Sequence, residues 1–164
     1  MRFLRLAAAA LAAAAADARL YRIGFPETIK PGDVFNATVE QLAGIPTQYM
    51  MVFGIERYDR EASVFPRPGS LGPVVFHHVD LQATVGDGQA SGNTTVGGFR
   101  VPAGYEPGPA AIQAAVLQFA GPLNSPIIET WWWNVEIGGA TSAGDLVWSS
   151  YADDNSRVCQ IPFE

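Results

Sequence analysis

A Pro-Gly-Asp triplet at residues 31–33, set between two stretches of alternating apolar and polar side chains, constrains this chain more than any other feature. Pro31 presets φ, Gly32 enters the left-handed region without steric cost, and Asp33 closes a turn through its carboxylate. The chain must bend there. From Val34 onward Phe35, Ala37 and Val39 fall on one face, and Asn36, Thr38 and Glu40 on the other, the two-residue period of a half-buried strand.

The same period recurs along the chain. Residues 19–25 form a strand that alternates Leu20, Arg22 and Gly24 against Tyr21, Ile23 and Phe25, and Pro26 closes it in the manner of an edge strand. Residues 48–56 are nearly continuous in apolar side chains, which suits a central strand or one covered on both faces. Residues 74–81 and 94–101 are further strands, separated by Gly/Asp/Asn turn chemistry. Residues 110–119 pull two ways, because their alanines favour helix while their length and flanking Pro-Gly pairs favour a core strand; strand is the reading adopted. Residues 127–137 place Trp131, Trp133, Val135 and Ile137 on one face and turn Trp132 to the other. A last short strand over 145–151 precedes a polar tail, and residues 57–72 read as a mobile loop across one end. The sum is an all-β fold without a convincing helix: an immunoglobulin-like or fibronectin-like antiparallel β-sandwich of seven or eight strands, forming one domain over residues 19–164.

Residues 1–18 read as a secretory signal peptide. Arg2 and Arg5 precede an Ala/Leu run, and Ala16 and Ala18 are the small residues before a cleavage site predicted between Ala18 and Arg19. The run is too short for a membrane span, and no later stretch reaches about twenty uninterrupted apolar residues. Loss of Arg2, Arg5 and Asp17 would take the net charge from −6 to about −7. A surface of that sign disfavours nucleic acid as a partner. Cys159 is the single cysteine, so an internal disulfide is impossible, and a free buried thiol is expected over an intermolecular bridge. Asn36-Ala37-Thr38 and Asn93-Thr94-Thr95 are acceptor sequons for N-glycosylation.

No enzyme motif stands out, and no cofactor or metal is expected. His77 and His78 are adjacent on a strand and point to opposite faces, so they cannot chelate one ion together. The serines lack a nucleophile-elbow setting, Gly86-Asp87-Gly88 lacks the oxygen ligands of a calcium loop, and Cys159 has only Arg157 nearby to lower its pKa. The scattered carboxylates point to no glycosidase pair. The Trp131-Trp132-Trp133 run is the strongest anomaly. Trp132 either packs under a neighbouring loop or serves as an aromatic anchor for a protein or a sugar ring, and Arg57, Tyr58 and Arg60 in the charged loop join it as partner-binding candidates.

Several blocks together resemble the fungal necrosis-inducing secreted protein family. They are Ile23-x-x-Pro26-x-Thr28-Ile29-Lys30-Pro31-Gly32-Asp33-x-Phe35-Asn36-Ala37-x-Val39, Phe53-Gly54-Ile55, Pro68-Gly69-Ser70-Leu71-Gly72, and Val101-Pro102 with the Ala-rich strand ending at Gly121. Asn134-Val135-x-Ile137-Gly138, Thr141-Ser142 and Cys159 complete the series. The resemblance implies a secreted effector, not an enzyme, that suppresses plant pattern-triggered immunity by binding host receptor-associated protein kinases and induces plant cell death. It implies action outside the fungal cell, extending to the host cytoplasm, and the chain is expected to be a monomer. The competing expectation is an extracellular carbohydrate-binding or cell-wall-associated module, with an unrecognised hydrolase as a third.

Overall fold

A computed structural model describes residues 18–43, 47–59, 70–85, 92–120, 125–150 and 157–160. These hold β1 (Ala18–Pro26), β2 (Thr28–Ile29), β3 (Phe35–Ala43), β4 (Thr47–Arg57), β5 (Val74–Asp80), α1 (Leu81–Val85), β6 (Gly92–Phe99), β7 (Gly108–Ala120), β8 (Ser125–Ile137), β9 (Leu146–Ser150) and β10 (Arg157–Gln160). One sheet runs β6-β3-β1-β9. The other runs β10-β8-β7-β4-β5, with β2 added parallel to β8. β1, β3 and β6 in one sheet face β4, β7 and β8 in the other, which is the A-B-E over C-F-G arrangement of an immunoglobulin-type sandwich. All eight strands expected from the sequence are present. β2 and β10 are additional, the second of them lying within the expected polar tail.

The core lies between the sheets and is built by the odd-even alternation. Phe25 is its centre, meeting Trp133 edge-on at 4.9 Å and Phe99 at 5.1 Å between ring centroids. Trp133 also ties the sheets together, its indole N–H donating to the Ile23 carbonyl at 2.7 Å. The alanines of β7 make room for these large neighbours: Ala114 sits in register between Phe53 and Trp131. Helix preference in that segment is overridden because two wide side chains need a small residue between them.

At one end of the core a chain of polar side chains replaces the apolar filling. The Leu20 N–H donates to Gln48 Oε1 (2.8 Å), Gln48 Nε2 to Gln118 Oε1 (3.2 Å), and Gln118 Nε2 to Glu129 Oε2 (3.0 Å). Trp131 Nε1 completes it by donating to Glu129 Oε1 at 2.7 Å. Glu129 is 0% exposed, so these donors stand in for the water that burial has removed.

The Pro31-Gly32-Asp33 bend is held from two sides. Gly32 takes φ +86° and its N–H donates to the Val101 carbonyl at 2.9 Å. On the other side, the connection between β8 and β9 grips β2. Thr28 N–H donates to Ser142 Oγ (3.2 Å), Lys30 N–H to Thr141 Oγ1 (3.1 Å), and the Thr141 hydroxyl to Asp33 Oδ2 (3.1 Å).

Three expectations need correction. β1 is an inner strand between β3 and β9, not an edge, and an irregularity between Leu20 and Arg22 shifts its parity so that Leu20 joins Ile23 and Phe25 in the core. β5 ends at Asp80, where Asp80 Oδ1 accepts the Ala83 N–H at 3.0 Å and caps the short helix α1. Finally, the last residues of the expected loop 57–72 are packed: Leu71 and Gly72 lie back against β4. Residues 60–69 fall outside the described part of the chain.

Candidate protein-docking surface

Two glycines allow Leu71 to lie flat on the outer face of the six-stranded sheet. A Cβ at Gly54 would stand 1.8 Å from the Leu71 carbonyl oxygen, and one at Gly72 (φ +73°) would stand 2.8 Å from the Ile55 carbonyl oxygen. No side chain fits at either contact. Phe53-Gly54-Ile55 and Ser70-Leu71-Gly72, far apart in sequence, therefore form one close-packed strap.

Beside the strap, Glu56, Arg57, Pro73, Gly104, Tyr105 and Glu106 line an open groove of about 420 Å³. The Arg57 guanidinium pairs with the Glu106 carboxylate across it, both largely exposed. Burial pushes the Tyr105 phenol above its ordinary pKa, with Arg57 pulling the other way and Glu56 adding to the rise. The groove thus offers a paired cation and anion, a further carboxylate and a neutral phenol, a set suited to polar contacts with a protein surface.

Further along the same sheet face exposed apolar side chains stand beside His78 and Asp80, which the register with Val52 and Met50 puts on this face. Met50 is 42% exposed and Val75 59% exposed. Trp132 is half-buried on this outer face, in register with Gln113 of β7, which is 3% exposed. Trp131 and Trp133 are core, as the alternation requires.

Of the candidates chosen from sequence, Arg57 lies in the groove and Trp132 on the adjoining face, two strands from Gly54. Tyr58 is a correction: it is 7% exposed, and the hydrogen bond from its N–H to the Pro109 carbonyl (3.2 Å) fixes its backbone at the edge of the core. The step from β4 into the charged loop carries it inward. Arg60 lies outside the described residues. Asn36 and Asn93 are both exposed. Cys159 stands in β10 opposite Ile128, its thiol outside the described side chains. The sequence reading missed Tyr105 and Glu106, which sit in a proline- and glycine-rich connection with no periodic signal.

The histidines divide as their adjacency predicts. His77 lies against Phe99 at 4.2 Å between ring centroids, while His78 is exposed. Burial, and then His78, hold His77 below its ordinary pKa of 6.5. Among the described residues no group of three or more His, Cys, Asp or Glu side chains is placed to hold a metal ion, and no helix is long and apolar enough to cross a membrane.

The model of the Nis1 family matches residues 16–136, from the start of β1 almost to the end of β8. The chain belongs to the Nis1 family. A Nis1-type relative, Necrosis-inducing secreted protein 1 of Colletotrichum higginsianum (strain IMI 349063), is 32% identical over 147 residues, covering 84% of this chain and 90% of that protein. The Nis1 match takes in the bend, the strap and the groove. Thr141 and Ser142, which clamp the bend, lie just beyond it.

Proposed function

We propose that this protein is a secreted fungal effector that acts on plant tissue by stoichiometric binding, suppressing pattern-triggered immunity through host receptor-associated protein kinases and inducing cell death. The observation that carries the reading is the relative named for secretion and necrosis induction, which matches over 90% of its own length. The groove at Arg57 and Tyr105, with the exposed Met50 and Val75 and the half-buried Trp132 on the adjoining face, is the surface assigned to docking: apolar side chains set among polar ones are how protein-binding patches are composed. A half-buried Trp132 leaves less ring face for a sugar to stack on, so the protein-docking reading takes precedence over the carbohydrate-binding one.

The deciding test is a pull-down of purified plant kinase domains by residues 19–164. Retention at micromolar kinase, weakened by Trp132→Ala or by Arg57→Ala, is expected; no retained kinase at that concentration would overturn the mechanism. N-terminal sequencing of the protein recovered from culture medium checks secretion, with Arg19 expected as the first residue.

A further inference from the structure

We propose that Asn36 and Asn93 both carry N-linked glycans, and that the two glycans stand together on the outer face of the four-stranded sheet, on the side of the molecule away from the docking surface. This rests on the secreted reading above. The antiparallel register of β3 and β6 sets Thr38 directly opposite Thr95 and Asn93 opposite Glu40, so the two Asn-x-Thr sequons run past each other on neighbouring strands. Both asparagines are exposed, and among the described residues neither amide makes a hydrogen bond that a glycan would break.

Local packing accommodates the modification at the more crowded of the two sites. Asn36 sits where the β3–β6 register shifts, between Phe35 and Ala37, and its side chain lies across Gly97. A Cβ at Gly97 would stand 2.9 Å from Asn36 Oδ1, so glycine at this position leaves the amide uncrowded where it lies. At the other site Asn93 follows Gly92, which has no atom within 4 Å of its missing side chain. The four-residue offset from Asn36 to Glu40 places the attachment points about 13 Å apart along the strands. Two glycan stems fit side by side at that spacing.

The chemistry is a group transfer from a lipid-linked diphospho-oligosaccharide of the secretory pathway. The Asn Nδ2 attacks C1 of the first sugar, the new N–C1 bond forms as the C1–O bond to the diphosphate breaks, and the lipid diphosphate leaves with the negative charge while the amide proton passes to a base. The threonine two residues on is the element of the acceptor that the sequon requires.

The test is the full chain secreted from yeast, with intact mass measured before and after endoglycosidase digestion. Two glycan masses are expected, with Asn36→Gln and Asn93→Gln each removing one. Thr95→Ser should keep the second glycan and Thr95→Ala should lose it. Glycopeptide mapping of the unaltered protein reads the same answer without a substitution, so a variant that fails to fold does not remove the test. A secreted chain at the bare polypeptide mass, or one modified at a single asparagine, would overturn the paired glycans while leaving the secreted reading intact. A chain retained in the cell with residues 1–18 attached would overturn both.

Discussion

Gly54 and Phe35 show two opposite ways in which one position governs the fold. At Gly54 the absence of a side chain is the requirement, because the Leu71 carbonyl occupies the space. Gly54→Ala is expected to lift the strap and cost about 1–3 kcal/mol, read as a lowered midpoint in urea denaturation, with Gly92→Ala, which meets nothing, as the comparison. At Phe35 the side chain is the requirement: it is buried and stacks on Phe99 at 5.8 Å between centroids. Phe35→Ala should cost about 3–5 kcal/mol in the same measurement. His77 adds a pH dependence of determined sign. Its pKa is lowered in the fold, so on acidification the unfolded chain takes up the proton first. The stability contributed by keeping the ring neutral is present above pH 6.5 and is lost as the pH falls from there through the lower folded pKa. Thermal midpoints should therefore decline on acidification below 6.5, and His77→Gln should flatten that decline; an unchanged slope would place its origin elsewhere.

The short strand β2 owes its place to its neighbours more than to its own residues. Two residues cannot make a stable strand alone, and β2 persists because Glu27, Thr28 and Ile29 carbonyls accept backbone N–H groups of Glu136, Ser142 and Gly138 while Thr141 and Ser142 grip it from the side. Thr141→Val, which removes the hydroxyl linking the Lys30 N–H to Asp33, should cost about 0.5–1.5 kcal/mol and make the amides around the bend exchange faster with solvent, with β4 and β7 unchanged. Strands such as β3 and β8 were legible in the sequence because one face of each is buried and its period survives, and β4 because its apolar run is nearly continuous. β1 was read with the wrong parity before its irregularity, since a shift between Leu20 and Arg22 leaves no mark in composition. The helix α1 was hidden by its five-residue length, and the buried Glu129 by the expectation that an inward position is apolar. The groove was half-legible: Arg57 announced itself as a charge after an apolar run, whereas Tyr105 and Glu106 reach the site only because the fold returns their connection to the end of β4.

Across the whole molecule, the two sheets present unlike faces. One carries the sequons and threonines of β3 and β6, the other the strap, the groove and the half-buried Trp132. This division predicts that Trp131→Ala and Trp132→Ala separate. The first removes a core indole that donates to Glu129 and should lower the melting temperature sharply; the second should leave it nearly unchanged and reduce partner retention. Equal losses of melting temperature would show Trp132 to be a packing residue. The fold class followed from alternation alone, while the site required knowing which distant segments meet. The pairing of β1 with β9 joins residues 22–26 to residues 146–150, and Ser142 closes on Thr28 across 114 positions of chain. Such long-range pairing makes folding slow for a domain of this size. During synthesis, the first strand emerges with its β9 neighbour more than a hundred residues away, so the four-stranded sheet can be completed only after nearly the whole polypeptide has been made.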